Sequence, residues 1–114
     1  MPAGSFLQMS DTREESPSIN PSDGHEFELL AELFHQAADP TRLRLLFTLL
    51  VREFCVCELA ELSKVSVSAV SHQLRSLWSA GLVSRKKIGR HVYYRLADDH
   101  VRELLSLGLD HIRE

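Results

Sequence analysis

No stretch of about 18 consecutive apolar residues occurs in this 114-residue chain, so no membrane-spanning helix is expected. The N-terminus lacks a basic segment followed by an apolar one, which argues against a secretory leader and for a cytoplasmic location. Cysteine is scarce: Cys55 and Cys57 are the only two, and they stand two positions apart. A disulfide between them would close a tight, strained ring. In a reducing compartment free thiolates or a bound metal suit such a pair better. Tryptophan occurs once, as Trp78, at a helical position expected to pack in the core rather than to stack on a ligand.

The most informative absence is of negative charge. Between Glu61 and Asp98 there is no acidic residue, while the same window carries Lys64, Arg75, Arg85, Lys86, Lys87, Arg90 and Arg95, with His72 and His91. The chain as a whole has a net charge of −3, its acids gathering toward both ends. A basic block inside an acidic chain is the footprint expected for a surface that meets phosphates.

What is present fits one domain with a small core, which would gain from further burial at a dimer interface. Residues 1–24 are polar and rich in Ser, Pro, Asp and Glu, and read as a flexible tail ahead of a domain over 25–114. A first helix over 26–38 places Phe27, Leu30, Leu33 and Phe34 at helical spacing. Asp39-Pro40 then reads as an N-cap and a first helical position, opening a helix with Leu43, Leu46, Phe47 and Leu50 on one side. A short third helix is expected over Cys55–Leu62, with Val56, Leu59 and Leu62 apolar. After a turn at Lys64-Val65-Ser66, Ser66 or Ser68 caps a fourth helix running to about Ala80, with Val70, Leu74, Leu77 and Trp78 inward and Gly81 as its C-cap. Leu82–Lys86 and His91–Leu96 read as strands joined by Ile88-Gly89-Arg90. Asp98-Asp99 opens a last helix with Val101, Leu104, Leu105, Leu107 and Leu109. An apolar side that broad needs a partner, and a second copy of the chain is the simplest one.

The expected fold is therefore α+β and mostly α: a winged helix-turn-helix of five helices and a two-stranded β-hairpin wing, dimerised through its terminal helices. In such a fold the second helix of the pair enters the major groove of duplex DNA. Its exposed side here would show Ser68, Ser71, His72 and Arg75, with Ser66 at its start, while Lys86, Lys87 and Arg90 would lie along the backbone or minor groove.

The segment SVSAVSHQLRSLWSAGLVSRKKIGRHVYYRL resembles the recognition helix and wing of the ArsR/SmtB family of metal-sensing repressors. DPTRLRLLFTLL and EFCVCELAEL resemble that family's second and third helices, so the likeness covers about residues 26–114. The resemblance implies a dimeric winged-helix repressor that releases operator DNA when metal binds.

Two sets of metal-ligating residues follow. Asp98 and His100 open the last helix and His111 and Glu114 end it. The histidines are 11 residues apart, hence on nearly one face yet about 16 Å apart along the axis, so one chain cannot close the site. Two antiparallel copies can, giving two sites per dimer. All four residues match the spacing of the family's last-helix sensing motif. Two nitrogens and two oxygens suit Zn²⁺, with Co²⁺ or Ni²⁺ as other occupants.

The second set, Cys55, Cys57 and Glu58, resembles the family's other sensing site, which His25 would complete from the N-terminal side. Residues i and i+2 of a helix point about 160° apart, so joint chelation asks Cys55 to sit at or before the helix start. Thiolates there would select soft metals such as Cd²⁺ or Pb²⁺. A repressor answering a thiol or redox signal through Cys55 and Cys57 is the alternative reading. A zinc hydrolase is disfavoured: four protein ligands leave no open position, no separate general base stands out, and no small-molecule substrate is expected.

Overall fold

The computed structural model describes residues 24–114. The expected tail, residues 1–24, lies outside them except for Gly24, which opens the first helix. Helices α1 (Gly24–Ala37) and α2 (Pro40–Val51) lead to a short strand β1 (Phe54–Cys55) and helix α3 (Val56–Ser63). Helix α4 (Val67–Ser79), strands β2 (Val83–Ile88) and β3 (His91–Leu96) and helix α5 (Asp99–Arg113) complete the fold.

Local chemistry sets these boundaries. The Arg42 N–H donates to Asp39 Oδ2 at 3.0 Å, and Pro40 occupies the first turn, where its missing N–H costs nothing. The Ala69 N–H donates to Ser66 Oγ at 3.1 Å, so Ser66 rather than Ser68 caps α4. Asp98 caps α5 in the same way, accepting from the Val101 N–H at 3.0 Å. Gly81 follows α4 with φ +78°, and the Leu82 N–H reaches back to the Leu77 carbonyl at 3.0 Å.

The sheet has three strands in the order β1-β3-β2, all antiparallel, in place of the expected two-stranded hairpin. The added strand pairs Phe54 with Tyr94 and Cys55 with Tyr93. Two residues are too few to show an alternating pattern, so only the fold reveals β1. Cys55 consequently belongs to the sheet edge, and α3 starts at Val56. Strand β2 also runs two residues further than expected, to Ile88, closing on His91 through Gly89-Arg90, with Gly89 at φ +62°.

Leu46, Leu49, Leu59, Val70, Leu74, Leu77 and Leu82 are fully buried where α2, α3 and α4 meet the sheet, and Tyr94, Leu96, Val101 and Leu105 extend that core to α5. Several expected core residues lie outside it. Leu62 is exposed, and Trp78 is 43% exposed. In α1, Phe27, Leu30 and Phe34 are all exposed, and only Leu33 and Ala37 pack against the core. Among the described residues, most of the apolar side of α1 is therefore left uncovered.

Lys64 ends α3 in the left-handed region, at φ 57° and ψ 37°. A non-glycine residue there costs about 1–2 kcal/mol, partly offset in a glycine by the greater freedom of its unfolded chain. Lys64→Gly is therefore expected to stabilise the protomer by up to about 1 kcal/mol. Gly81→Ala is expected to destabilise it by about 1–2 kcal/mol through conformation alone, because a Cβ at Gly81 would meet nothing within 4 Å. Urea midpoints measured at constant slope check both signs.

Candidate nucleic-acid interface and metal-ligating residues

The α3–turn–α4 unit is held by Leu59, Val70 and Leu74 in the core, which leaves the far side of α4 open. Ser68, His72 and Arg75 are exposed there, and Ser71 is half-buried at the margin. Ser66 is exposed too, but its hydroxyl oxygen already accepts the capping hydrogen bond. Four of the expected contact residues therefore share one helix side, with Ser66 at its N-terminal end.

On the wing, the alternation of strand β2 separates the basic residues. Val83, Arg85 and Lys87 share one sheet face; Ser84, Lys86 and Ile88 share the other. Lys86 Nζ lies 3.9 Å from Glu53 Oε1, an exposed pair of little energetic weight. Lys87 and Arg90 are exposed toward the hairpin end. Arg85, absent from the expected contacts, sets its guanidinium 3.8 Å from the centre of the Trp78 ring. The period-2 pattern is the sequence signal that could have placed it, since Arg85 follows buried Val83 on the same face.

The four last-helix residues occupy the two ends of α5. Asp98 Oδ1 lies 3.7 Å from Nδ1 of His100, which is almost fully exposed. His111 and Glu114 are exposed at the far end. Between the histidines stand Leu104 and Leu107, both exposed, the latter at 69%. Positions 100, 104, 107 and 111 fall within about 60° of one another around a helix. The two imidazoles thus flank an uncovered apolar strip on the same face. About a third of a turn round α5 from this strip lie buried Val101 and Leu105, and Arg102 anchors the helix by donating from Nη1 to the Leu50 carbonyl at 2.8 Å.

Cys55 is the residue before α3, with extended backbone at φ −83° and ψ 161°, as joint chelation with Cys57 requires. The thiols differ in access: Cys55 is buried and Cys57 exposed. Glu58 is committed locally. Its Oε1 accepts from the Cys55 N–H at 3.0 Å, and its Oε2 pairs with Arg52 Nη2 at 3.1 Å. The Cys55 N–H, followed by the Arg52 guanidinium, holds the Glu58 carboxyl below its ordinary pKa. Arg52 is itself fixed over the Phe54 ring at 3.7 Å. His25 lies exposed in the first turn of α1. Among the described residues, no three His, Cys, Asp or Glu side chains of one protomer come together as a metal-holding group. Neither candidate set is closed within a single chain.

Residues 39–85 match the family described as bacterial regulatory protein, arsR family. A transcriptional repressor SmtB homolog of Synechocystis sp. is 45% identical over 109 residues, covering 96% of this chain and 81% of that protein. A cadmium resistance transcriptional regulatory protein CadC homolog of Staphylococcus aureus is 36% identical over 108 residues, covering 94% and 84%. Among solved structures, a homodimeric winged helix-turn-helix DNA-binding domain from Mycobacterium bovis, described as a possible ArsR-family transcriptional regulator, superposes with a TM-score of 0.79 at 26% identity, covering 86% of this chain and 91% of that one. The order of α3, α4 and the wing agrees with these likenesses, and the chain belongs to the ArsR/SmtB family of winged-helix transcriptional regulators.

Proposed function

We propose that this chain is a repressor that binds operator DNA as a homodimer and releases it when Zn²⁺ or a related divalent metal binds across the dimer. The observation that carries the reading is the strip on α5, where His100 and His111 flank exposed Leu104 and Leu107. Antiparallel packing of two such strips covers the leucines. The same packing brings Asp98 and His100 of one protomer toward the histidine and glutamate that end the partner's helix. The donor set fits a tetrahedral Zn²⁺ site: imidazole nitrogens and carboxylate oxygens, all on exposed side chains, with Oδ1 of Asp98 capping the helix and Oδ2 left for a metal, whereas both oxygens of Glu58 are engaged. Cd²⁺, Co²⁺, Ni²⁺ and Pb²⁺ remain the other occupants to compare, and the α4 face and wing supply the surface for the duplex.

Metal can weaken DNA binding only by favouring one dimer shape over another. Ligands contributed by two protomers do so, because their separation depends on how the protomers are set. That setting also fixes the spacing of the two α4 helices, which must match half-sites one helical turn apart. Typical coupling of this kind is about 1–3 kcal/mol, or roughly 5–150-fold in affinity. Cys55 and Cys57 are the less favoured sensor, because Cys55 is buried and Glu58 is held by Arg52 and the Cys55 N–H. A cytoplasmic location and the absence of catalysis belong to the same proposal; no helix among the described residues is long and apolar enough to cross a membrane.

Duplex affinity measured with and without Zn²⁺ tests this reading. Zinc is expected to weaken binding of the wild type within the range above, to leave His111→Ala unchanged, and to act normally on Cys57→Ser. An unaltered affinity in zinc sinks the sensing function. A zinc response lost in Cys57→Ser and kept in His111→Ala moves it to the thiols.

A further inference from the structure

Helix α4 and the wing must meet a duplex together, and the backbone ties them at one point. The Gly81 N–H donates to the Trp78 carbonyl at 3.0 Å, and the Leu82 N–H to the Leu77 carbonyl. Beyond that turn Val83 still packs into the core shared with α4, but from Arg85 onward β2 is exposed, and a further contact there would fix the outer wing against the helix. The register places Arg85 opposite Tyr94, one step beyond the Val83–Leu96 pair, on the sheet face that is buried against the helices. Trp78 stands on the last turn of α4, too exposed to serve as a core residue. The Arg85 guanidinium covers its ring at 3.8 Å.

We propose that Arg85 is a positioning residue, whose stack on Trp78 sets the wing against the recognition helix, and that it is not one of the phosphate anchors. The assignment explains why the one tryptophan of the chain is half outside the core. It also separates Arg85 from Lys87, which shares its face but lies further toward the hairpin end, and from Lys86, which points to the opposite face beside Glu53. The inference rests on the reading that α4 and the wing engage a duplex.

The full-length chain is titrated into a short fluorescein-labelled duplex of random sequence at low salt. Trp78→Leu removes no charge, yet it is expected to weaken binding by the same factor as Arg85→Gln, about 5- to 30-fold, the span of two exposed cation–π contacts, one in each protomer of the dimer. The double variant is expected to lose no more than either single one. Arg85→Lys keeps a cation over the indole and is expected to restore affinity when Trp78 is present but not beside Trp78→Leu. Should Trp78→Leu fold poorly, Trp78→Phe, which keeps a ring, is expected to retain the coupling to Arg85. A phosphate anchor gives the contrary pattern: Trp78→Leu neutral, losses additive, and Arg85→Lys active in both backgrounds. Any of these overturns the assignment. A second measurement needs no DNA. Amide heteronuclear NOEs at Lys87–Arg90 are expected to fall in both single variants, and unchanged values overturn the tie. A wild-type chain that binds no duplex at any salt refutes the DNA reading alone, and the NOEs still decide the role of Arg85.

Discussion

Leu107→Asp is expected to convert the protein from dimer to monomer and to weaken duplex binding by about 10²–10⁴-fold, the gain that linking two binding modules confers. The protomer should survive the change, because Leu107 lies outside the core and its helix is anchored by Val101, Leu105 and the Arg102 bond to the Leu50 carbonyl. The dimer should not. A carboxylate on the strip would be buried without a partner, and two-fold symmetry places a second copy of it near the first. Phe27, Leu30 and Phe34 of α1 are a second uncovered apolar row, so the predicted interface is larger than one helix pair. Sedimentation equilibrium in the presence of a chelator separates the oligomeric effect from metal binding, and thermal melting checks that the monomer remains folded. A variant that stays dimeric with unchanged melting would place the interface elsewhere and remove the geometric basis of the shared metal site.

How far the sequence carried the reading depended on how local each signal was. Caps and turns were legible because a single residue decides them: Asp39, Ser66 and Asp98 each accept the N–H three positions on. The helix-turn-helix order and the basic window followed from periodicity and charge alone. Strand β1 was not legible, because Phe54 and Cys55 take extended form only through their pairing with Tyr94 and Tyr93, some forty positions away. The inward side of each helix was half legible. Hydrophobicity marked Phe34, Leu62 and Trp78 as apolar, but it could not say whether each meets its own domain, a second chain or a single arginine. For α1 and α5 that ambiguity carries information: the apolar residues left over after the core is filled mark where a partner belongs.

The candidate sites divide in the same way. Spacing alone set His100 and His111 on one face of a helix and too far apart for one ion, and the continuous α5 from Asp99 to Arg113 keeps that spacing. Spacing did not reveal that Glu58 is spoken for. Its partners Arg52 and the Cys55 N–H lie only six and three positions before it, but only the strand-to-helix corner at Cys55 turns them toward one carboxylate. A residue type suited to a metal was thus a poor guide where the backbone had a prior use for the same oxygen atoms.

The second large effect is electrostatic and concerns the wing. Lys87 and Arg90 are exposed, and among the described residues no acidic side chain pairs with either. Each cation that neutralises a phosphate releases condensed counterions, so the logarithm of affinity falls with the logarithm of salt by about 0.9 per contact. In a homodimer each substitution removes two contacts. The double variant Lys87→Gln/Arg90→Gln should therefore lower the slope by about 3.6 and reduce affinity near 0.1 M salt on the order of 10³-fold. Arg75 makes a contrast on the helix. If it reads a guanine edge, Arg75→Gln costs about 1–3 kcal/mol at each half-site of the preferred duplex and little on random sequence, whereas the wing variant weakens both alike. Titrations at several salt concentrations, on an operator obtained by selection from a random pool and on the unselected pool, supply both numbers. An unchanged slope in the double variant would show that the hairpin end stays clear of the phosphates, leaving α4 to carry the contact with a wing that serves only to brace it.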